Sequence, residues 1–230
     1  MLTLSRIAAT GFTAVAVLAA SVACDKHPDT ESPSSSTTSP ASTAPVQTST
    51  PVTTSPAVTA PSAGSLAAYA KANNLTLTEL RHGDPGPKVD LPVPQGWKLV
   101  YDEPDAPFGA LVLQKPTDPK IPGRIVMLMT KLGGKIDRDA IFAASNAEII
   151  ALPDFHGPQS PQTDTLAGFV TSQIGGLYQP DQQLIAQKTV VIPTDGGAYV
   201  LRLRASGNQE DAAAMMLATS EIDKKATITA

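Results

Sequence analysis

The chain has 230 residues, with 17 Lys and Arg, 21 Asp and Glu, and one cysteine, Cys24. A net charge of −4 with no basic block argues against a nucleic-acid binder, and a lone cysteine excludes a disulfide within the chain. Past the N-terminal segment, no apolar stretch is long enough to cross a bilayer as a helix.

Arg6 precedes an apolar run from Ile7 to Ala20, too short for a transmembrane helix and of the right length for a signal-peptide core. The Ser21-Val22-Ala23-Cys24 stretch that follows resembles the lipobox of bacterial lipoproteins. There the cysteine thiol receives a diacylglyceryl group and the cysteine, N-acylated, becomes the mature N-terminus. Ser21 departs from that pattern, which favours an aliphatic residue at this place. Ser21 and Ala23 also satisfy ordinary signal peptidase, whose cut would leave Cys24 as a bare thiol. Residues 1–23 are therefore expected to be a lipoprotein-type export signal and Cys24 the lipid attachment site. Two or more acyl chains hold a protein stably at a membrane where one does not.

From 25 to 64, 25 of the 40 residues are Ser, Thr or Pro and none is aromatic. Such a segment buries too little apolar surface to offset the entropy of ordering it. Residues 24–64 are expected to form a disordered tether, reaching on the order of 120 Å when extended. Residues 65–230 then carry enough mixed apolar and charged sequence for one core and hence one globular domain.

Within that domain, Ser65 is placed to cap a short helix reaching about Asn73, and a strand follows from Leu75 to Arg81. After the turn residues Gly83-Asp84-Pro85-Gly86-Pro87 and a brief extended piece at Val89–Leu91, a strand is expected over Trp97–Tyr101. The runs Phe108–Leu113 and Ile125–Met129 are apolar without alternation, which predicts strands covered on both faces. Asp137 should cap a helix over Arg138–Ile150, with Ile136 and Ile141 as a hydrophobic staple. Strands are expected near Thr165–Ile174, Leu184–Ile192 and Ala198–Arg204. They would be joined by turns at Gly175-Gly176, at Gln179-Pro180-Asp181 and at Thr194–Gly197. Tyr199, Leu201 and Leu203 alternate with Arg202 and Arg204, so the last strand should have one wet or polar face. A final helix capped by Ser206 or Asn208 presents Ala212, Met215, Met216, Leu217 and Ile222 to the core. Hairpin-linked strands covered by helices make the class α+β: an antiparallel β-sheet flanked by helices in an α/β/α sandwich.

Arg81-His82-Gly83-Asp84-Pro85-Gly86, Val89-Asp90-Leu91-Pro92-Val93-Pro94 with Gly96-Trp97, and Ala186-Gln187-Lys188-Thr189-Val190-Val191-Ile192-Pro193 resemble the Lpp/LpqN (LpqN/LpqT-like) lipoproteins of mycobacteria over the whole globular part. The resemblance implies a Mog1/PsbP-like fold and a binding or assembly role, and it transfers no catalytic set.

Direct search finds little chemistry. His82 beside Asp84 suggests an acid/base or metal pair, but a turn Asp more often caps backbone groups, and further metal ligands are missing nearby. His156 lies in a loop with Asp154 and Phe155 and is most simply solvated. There is no nucleophile elbow, phosphate loop or dinucleotide fingerprint. Trp97, Met127, Met129, Met215 and Met216 could line a groove, though core packing is the plainer reading. Arg202 and Arg204 suit an anionic group or an internal Asp or Glu.

The expectation is thus a non-enzymatic envelope lipoprotein with no catalytic residue, cofactor or metal. It would be held at the outer face of the cell membrane through Cys24, with an envelope protein or glycolipid as partner, in lipid export or wall assembly. The alternative is an exported hydrolase of envelope esters or glycans, using His156 or His82 as base. Solute capture for an importer fits less well, because the domain is too small for two lobes.

Overall fold

The Ser65 hydroxyl accepts a hydrogen bond from the Ala68 N–H at 3.2 Å and so opens the first helix, α1 (Leu66–Ala72), as its position before an Ala-rich run predicts. The computed structural model describes residues 65–178 and 183–230. The export signal, Cys24, the tether and the Gln179-Pro180-Asp181 turn lie outside the described residues.

After α1 come β1 (Thr76–Leu80), β2 (Lys88–Asp90), β3 (Trp97–Val100), β4 (Gly109–Leu113) and β5 (Arg124–Gly133), then α2 (Arg138–Ile150). The chain continues through β6 (Gln162–Leu166), β7 (Phe169–Tyr178), β8 (Gln183–Thr194), β9 (Gly197–Gly207), α3 (Ala212–Lys225) and β10 (Thr227–Thr229). The main sheet is antiparallel, in the order β3-β4-β5-β9-β8-β7-β6. β1 pairs with the second half of β5 while β4 pairs with its first half. β10 returns from the end of the chain to pair with β2, so the extended piece near Val89 is a strand with a distant partner.

Strand alternation sorts the core into two layers. Ile125, Met127, Met129, Leu201 and Leu203 pack with Met215, Ala218 and Ile222 of α3 on one face. Leu132, Val191 and Val200 pack with Leu66 and Ala70 of α1 and with Ile141 and Phe142 of α2 on the other. Ile136 packs against that second cluster, as a staple to Ile141 would require. The α+β sandwich is therefore present, with α1 and α2 over one face and α3 over the other. Trp97, at 5% exposure, belongs to the α3-side core, as do Met127, Met129 and Met215.

Several expectations change. The strand foreseen over Thr165–Ile174 is two strands joined by a two-residue turn, in which Ala167 (φ 50°) and Gly168 (φ 85°) both take left-handed conformations. Such a primed hairpin turn is hard to foresee with alanine at its first position. Gly175 and Gly176 are not a turn. They lie inside β7, paired with Ala186 and Ile185, and a Cβ on Gly176 would come within 2.4 Å of the His156 carbonyl oxygen. Gly176 lets the His156–Gly157 backbone lie against the strand, where His156 and Leu177 exchange N–H to O bonds of 2.8 and 2.9 Å, whereas a Cβ on Gly175 would meet Ala186 and the Ile185 carbonyl oxygen at 3.0 Å. On α3, Met216 and Leu217 point outward, Leu217 being 74% exposed. Asn208 caps a 3-10 turn over Gln209–Asp211 ahead of that helix, and Ser206 lies in β9.

Polar side chains fix both helical layers to the sheet. On the α3 side, Lys188 is 2% exposed and donates to Asp223 at 2.7 Å and to Asp164 at 3.1 Å. Burial raises the Asp223 carboxyl above its ordinary value, and the hydrogen bond from Lys188 offsets this only in part.

Three measurements test this account. Asp137→Ala removes bonds from the Asp139 and Ala140 N–H groups at 2.9 and 3.1 Å, and urea unfolding should show a loss of about 1 kcal/mol. Gly176→Ala forces a methyl against His156 and should lose about 1–3 kcal/mol in the same assay. A carboxyl with a higher pKa folded than unfolded contributes most at low pH, and that contribution is lost as pH rises through the raised value. The urea midpoint of Asp223→Asn relative to the unaltered protein should therefore climb as pH rises from the ordinary carboxylate range through the raised value. A flat or falling difference would contradict the burial of an ionised Asp223.

Candidate functional site

Among the described residues, His82 and His156 lie apart, in different settings. His82 stacks on Tyr101 with ring centroids 3.7 Å apart, and the Asp84 carboxylate accepts from the Arg81 N–H at 2.8 Å. Asp84 thus does the backbone capping foreseen for it. The His156 side chain is exposed, and its contacts to β7 run through its backbone. Among the described residues, no group of three His, Cys, Asp or Glu is placed to hold a metal. A cavity of about 20 Å³ lies beneath α3, between Lys188, Asp223 and Thr219 and apolar residues of β5, β8 and β9. It has room for about one water and none for an organic ligand.

The α1/α2 face of the sheet is more informative. Along β5 the odd residues Ile125, Met127 and Met129 are buried, whereas the even residues Val126 and Leu128 are only partly so. The run expected to be covered on both faces is therefore fully covered on one. Val112 of β4 and Val100 of β3 share this condition. The register places Ala110 opposite both Val100 and Val126, and Val112 opposite Arg124. None of these four partly buried residues belongs to, or packs against, the core clusters of the described residues. They form an apolar strip on the half of the face away from β7 and β8, which carry α2.

A charged wall borders that strip. Arg202 lies opposite Leu128 on β5, and Arg204 opposite Val126. The polar face of β9 is real, but it is not wet. The Arg202 side chain is 11% exposed and donates to Glu148 of α2 at 2.6 Å, and Arg204, 31% exposed, donates to the same oxygen at 3.2 Å. The other Glu148 oxygen accepts from the Leu66 N–H at 2.9 Å, which ties α1 to α2. Arg204 also donates to Gln187 Oε1 from Nε at 3.0 Å and from Nη2 at 2.8 Å. The Gln187 amide is oriented by its own bond to the Ser145 carbonyl at 2.8 Å. Burial and the neighbouring Arg202 lower the Arg204 pKa, and Glu148 opposes both. At the start of β5, Arg124 has the opposite balance, one guanidinium against the two carboxylates of Glu103 and Asp105.

Gln187 and Lys188 were not recognisable as site residues from sequence. They sit side by side in the Ala186–Pro193 motif, and the signal that could have marked them is two long polar residues in an otherwise apolar central strand. Adjacent positions on a strand face opposite ways, so Gln187 serves the α2 side and Lys188 the α3 side.

The family model Lpp-LpqN, described as "Probable lipoprotein LpqN", matches residues 62–229. Lipoprotein LpqN of Mycobacterium tuberculosis (strain ATCC 25618 / H37Rv) is 39% identical over 168 residues, covering 72% of this chain and 74% of LpqN. A crystal structure described as LpqN involved in cell envelope biogenesis of Mycobacterium tuberculosis superposes with a TM-score of 0.69 at 38% identity, covering 72% of this chain and 98% of that one. The resemblance carried by the Arg81–Gly86, Val89–Trp97 and Ala186–Pro193 segments is thus confirmed, and the chain belongs to the Lpp-LpqN family of lipoproteins.

Proposed function

We propose that this protein is an envelope lipoprotein, anchored through acylated Cys24 on the outer face of the cell membrane, that works without catalysis as a binding or accessory module. The domain engages an envelope protein or glycolipid across the apolar strip of Val100, Val112, Val126 and Leu128. The observation that carries this reading is that these four apolar residues, only partly buried and packed against none of the core clusters, lie beside a fixed charged wall. The relative of solved structure is described as involved in cell envelope biogenesis, which supports the same setting here. Tethering would raise the effective concentration of the domain for partners at the membrane, so modest intrinsic affinity would suffice.

Two experiments test the proposal in cells. Cys24→Ala should move the protein from the membrane fraction to the culture fluid, and the intact mass of the unaltered protein should show acyl chains on its first residue. A photo-cross-linker at position 126 should capture a defined envelope protein or lipid that one at Thr163, on the distant edge strand β6, does not. Leu128→Asp should abolish that capture. Equal capture from both positions would remove the strip as the docking surface, and labelling by a serine-directed activity probe would favour the hydrolase.

A further inference from the structure

We propose that Arg204, backed by Arg202, is an oxyanion-binding subsite at the border of the apolar strip, taking a carboxylate or phosphate group of the bound partner. The inference rests on the strip being the binding surface and adds the charge of what binds there.

The first reason is charge. Two guanidiniums share one oxygen of Glu148, whose other oxygen is occupied by the Leu66 N–H. Arg202 and Arg204 lie on neighbouring same-face positions of β9, and their cross-strand partners on β5 and β8 are Leu128, Val126, Thr189 and Gln187, none of them acidic. The C-terminal turn of α2, which has no basic residue of its own, contributes a partial negative charge of about one half. Roughly half a unit of positive charge then remains uncompensated in a place largely removed from water.

The second reason is geometry. Arg204 directs Nε and Nη2 at Gln187 Oε1, so a neutral amide oxygen occupies the position where a carboxylate would usually complete a guanidinium fork. Gln187 cannot turn away without breaking its bond to the Ser145 carbonyl. The guanidinium is thereby held in one orientation. Among the described residues no partner is recorded for its Nη1, on a side chain still 31% exposed. Arg202 Nε is buried without a hydrogen-bond partner. A pre-oriented, under-compensated guanidinium beside apolar surface is the chemistry that recognises an oxyanion attached to an apolar body.

The test uses the full-length protein labelled with nitrogen-15 at arginine, titrated at low salt with inorganic phosphate and, separately, with phosphatidylglycerol vesicles. The Arg204 Nε resonance should shift saturably, and Arg204→Met should abolish the response while keeping the hydrocarbon stem. Arg204→Lys, which keeps the charge and loses the fork, should weaken binding several-fold. Glu148→Gln removes the internal competitor and should tighten it about tenfold. A response to free phosphate assigns a soluble anion, and one to vesicles alone assigns a membrane headgroup. No saturable shift with either probe, or tightening absent in a folded Glu148→Gln, overturns the subsite. In that event intact cross-linking at position 126 leaves the docking strip standing, whereas anion binding without cross-linking defeats the strip alone.

Discussion

Adjacent residues on a β-strand face opposite ways, and at Gln187 and Lys188 that rule meets a second one: polar groups buried under a helix need partners. Lys188 finds Asp223 on α3 and Asp164 on β6, and Gln187 finds the backbone of α2 and the guanidinium of Arg204. Both helical layers are therefore registered on the sheet from a single point on β8. Apolar packing alone would leave α2 and α3 free to slide, because Leu, Ile and Met side chains exchange neighbours at little cost. An unpaired buried lysine or arginine is far more expensive. These polar contacts hold α2 and α3 in place over the sheet.

The partial cover on that face has a cause. α2 lies over β7 and β8, and α1 packs on α2 and runs beside β1. The first half of β5, with β3 and β4, has no extensive contact with either helix. Val112, Val126 and Leu128 are therefore as apolar as residues covered on both sides yet only partly buried. The same strands are filled on the opposite face by Trp97, Met127 and the residues of α3. The asymmetry between the two faces of the sheet is thus an asymmetry of helix placement. No unusual residue is needed to produce it.

Charge balance then separates the arginines. Arg124, met by two carboxylates, serves to hold the Glu103–Asp105 loop. Arg202 and Arg204, met by one, hold α2. Sequence spacing makes all three look alike, since each sits on a strand among apolar neighbours.

Local chemistry made much of the domain legible. The Asp137 cap, the Arg138–Ile150 helix, the alternation of Tyr199–Arg204 and the turn before Gly197 follow from hydrogen-bonding capacity and side-chain period, and the structure retains each. The readings of the cysteine, the apolar N-terminal run and the Ser/Thr/Pro tract rest on sequence alone and lie outside the described residues. Tertiary structure alone decided the rest, because each case depends on what lies across space. Gly175-Gly176 reads as a turn until the His156 backbone is seen lying on it. Met216 and Leu217 read as core until α3 is docked with Met215 and Ile222 inward. Val126 reads as doubly covered until the helices are placed, and whether Arg204 meets a full complement of negative charge is settled only when Glu148, 82 positions from its other partner Leu66, is brought between them.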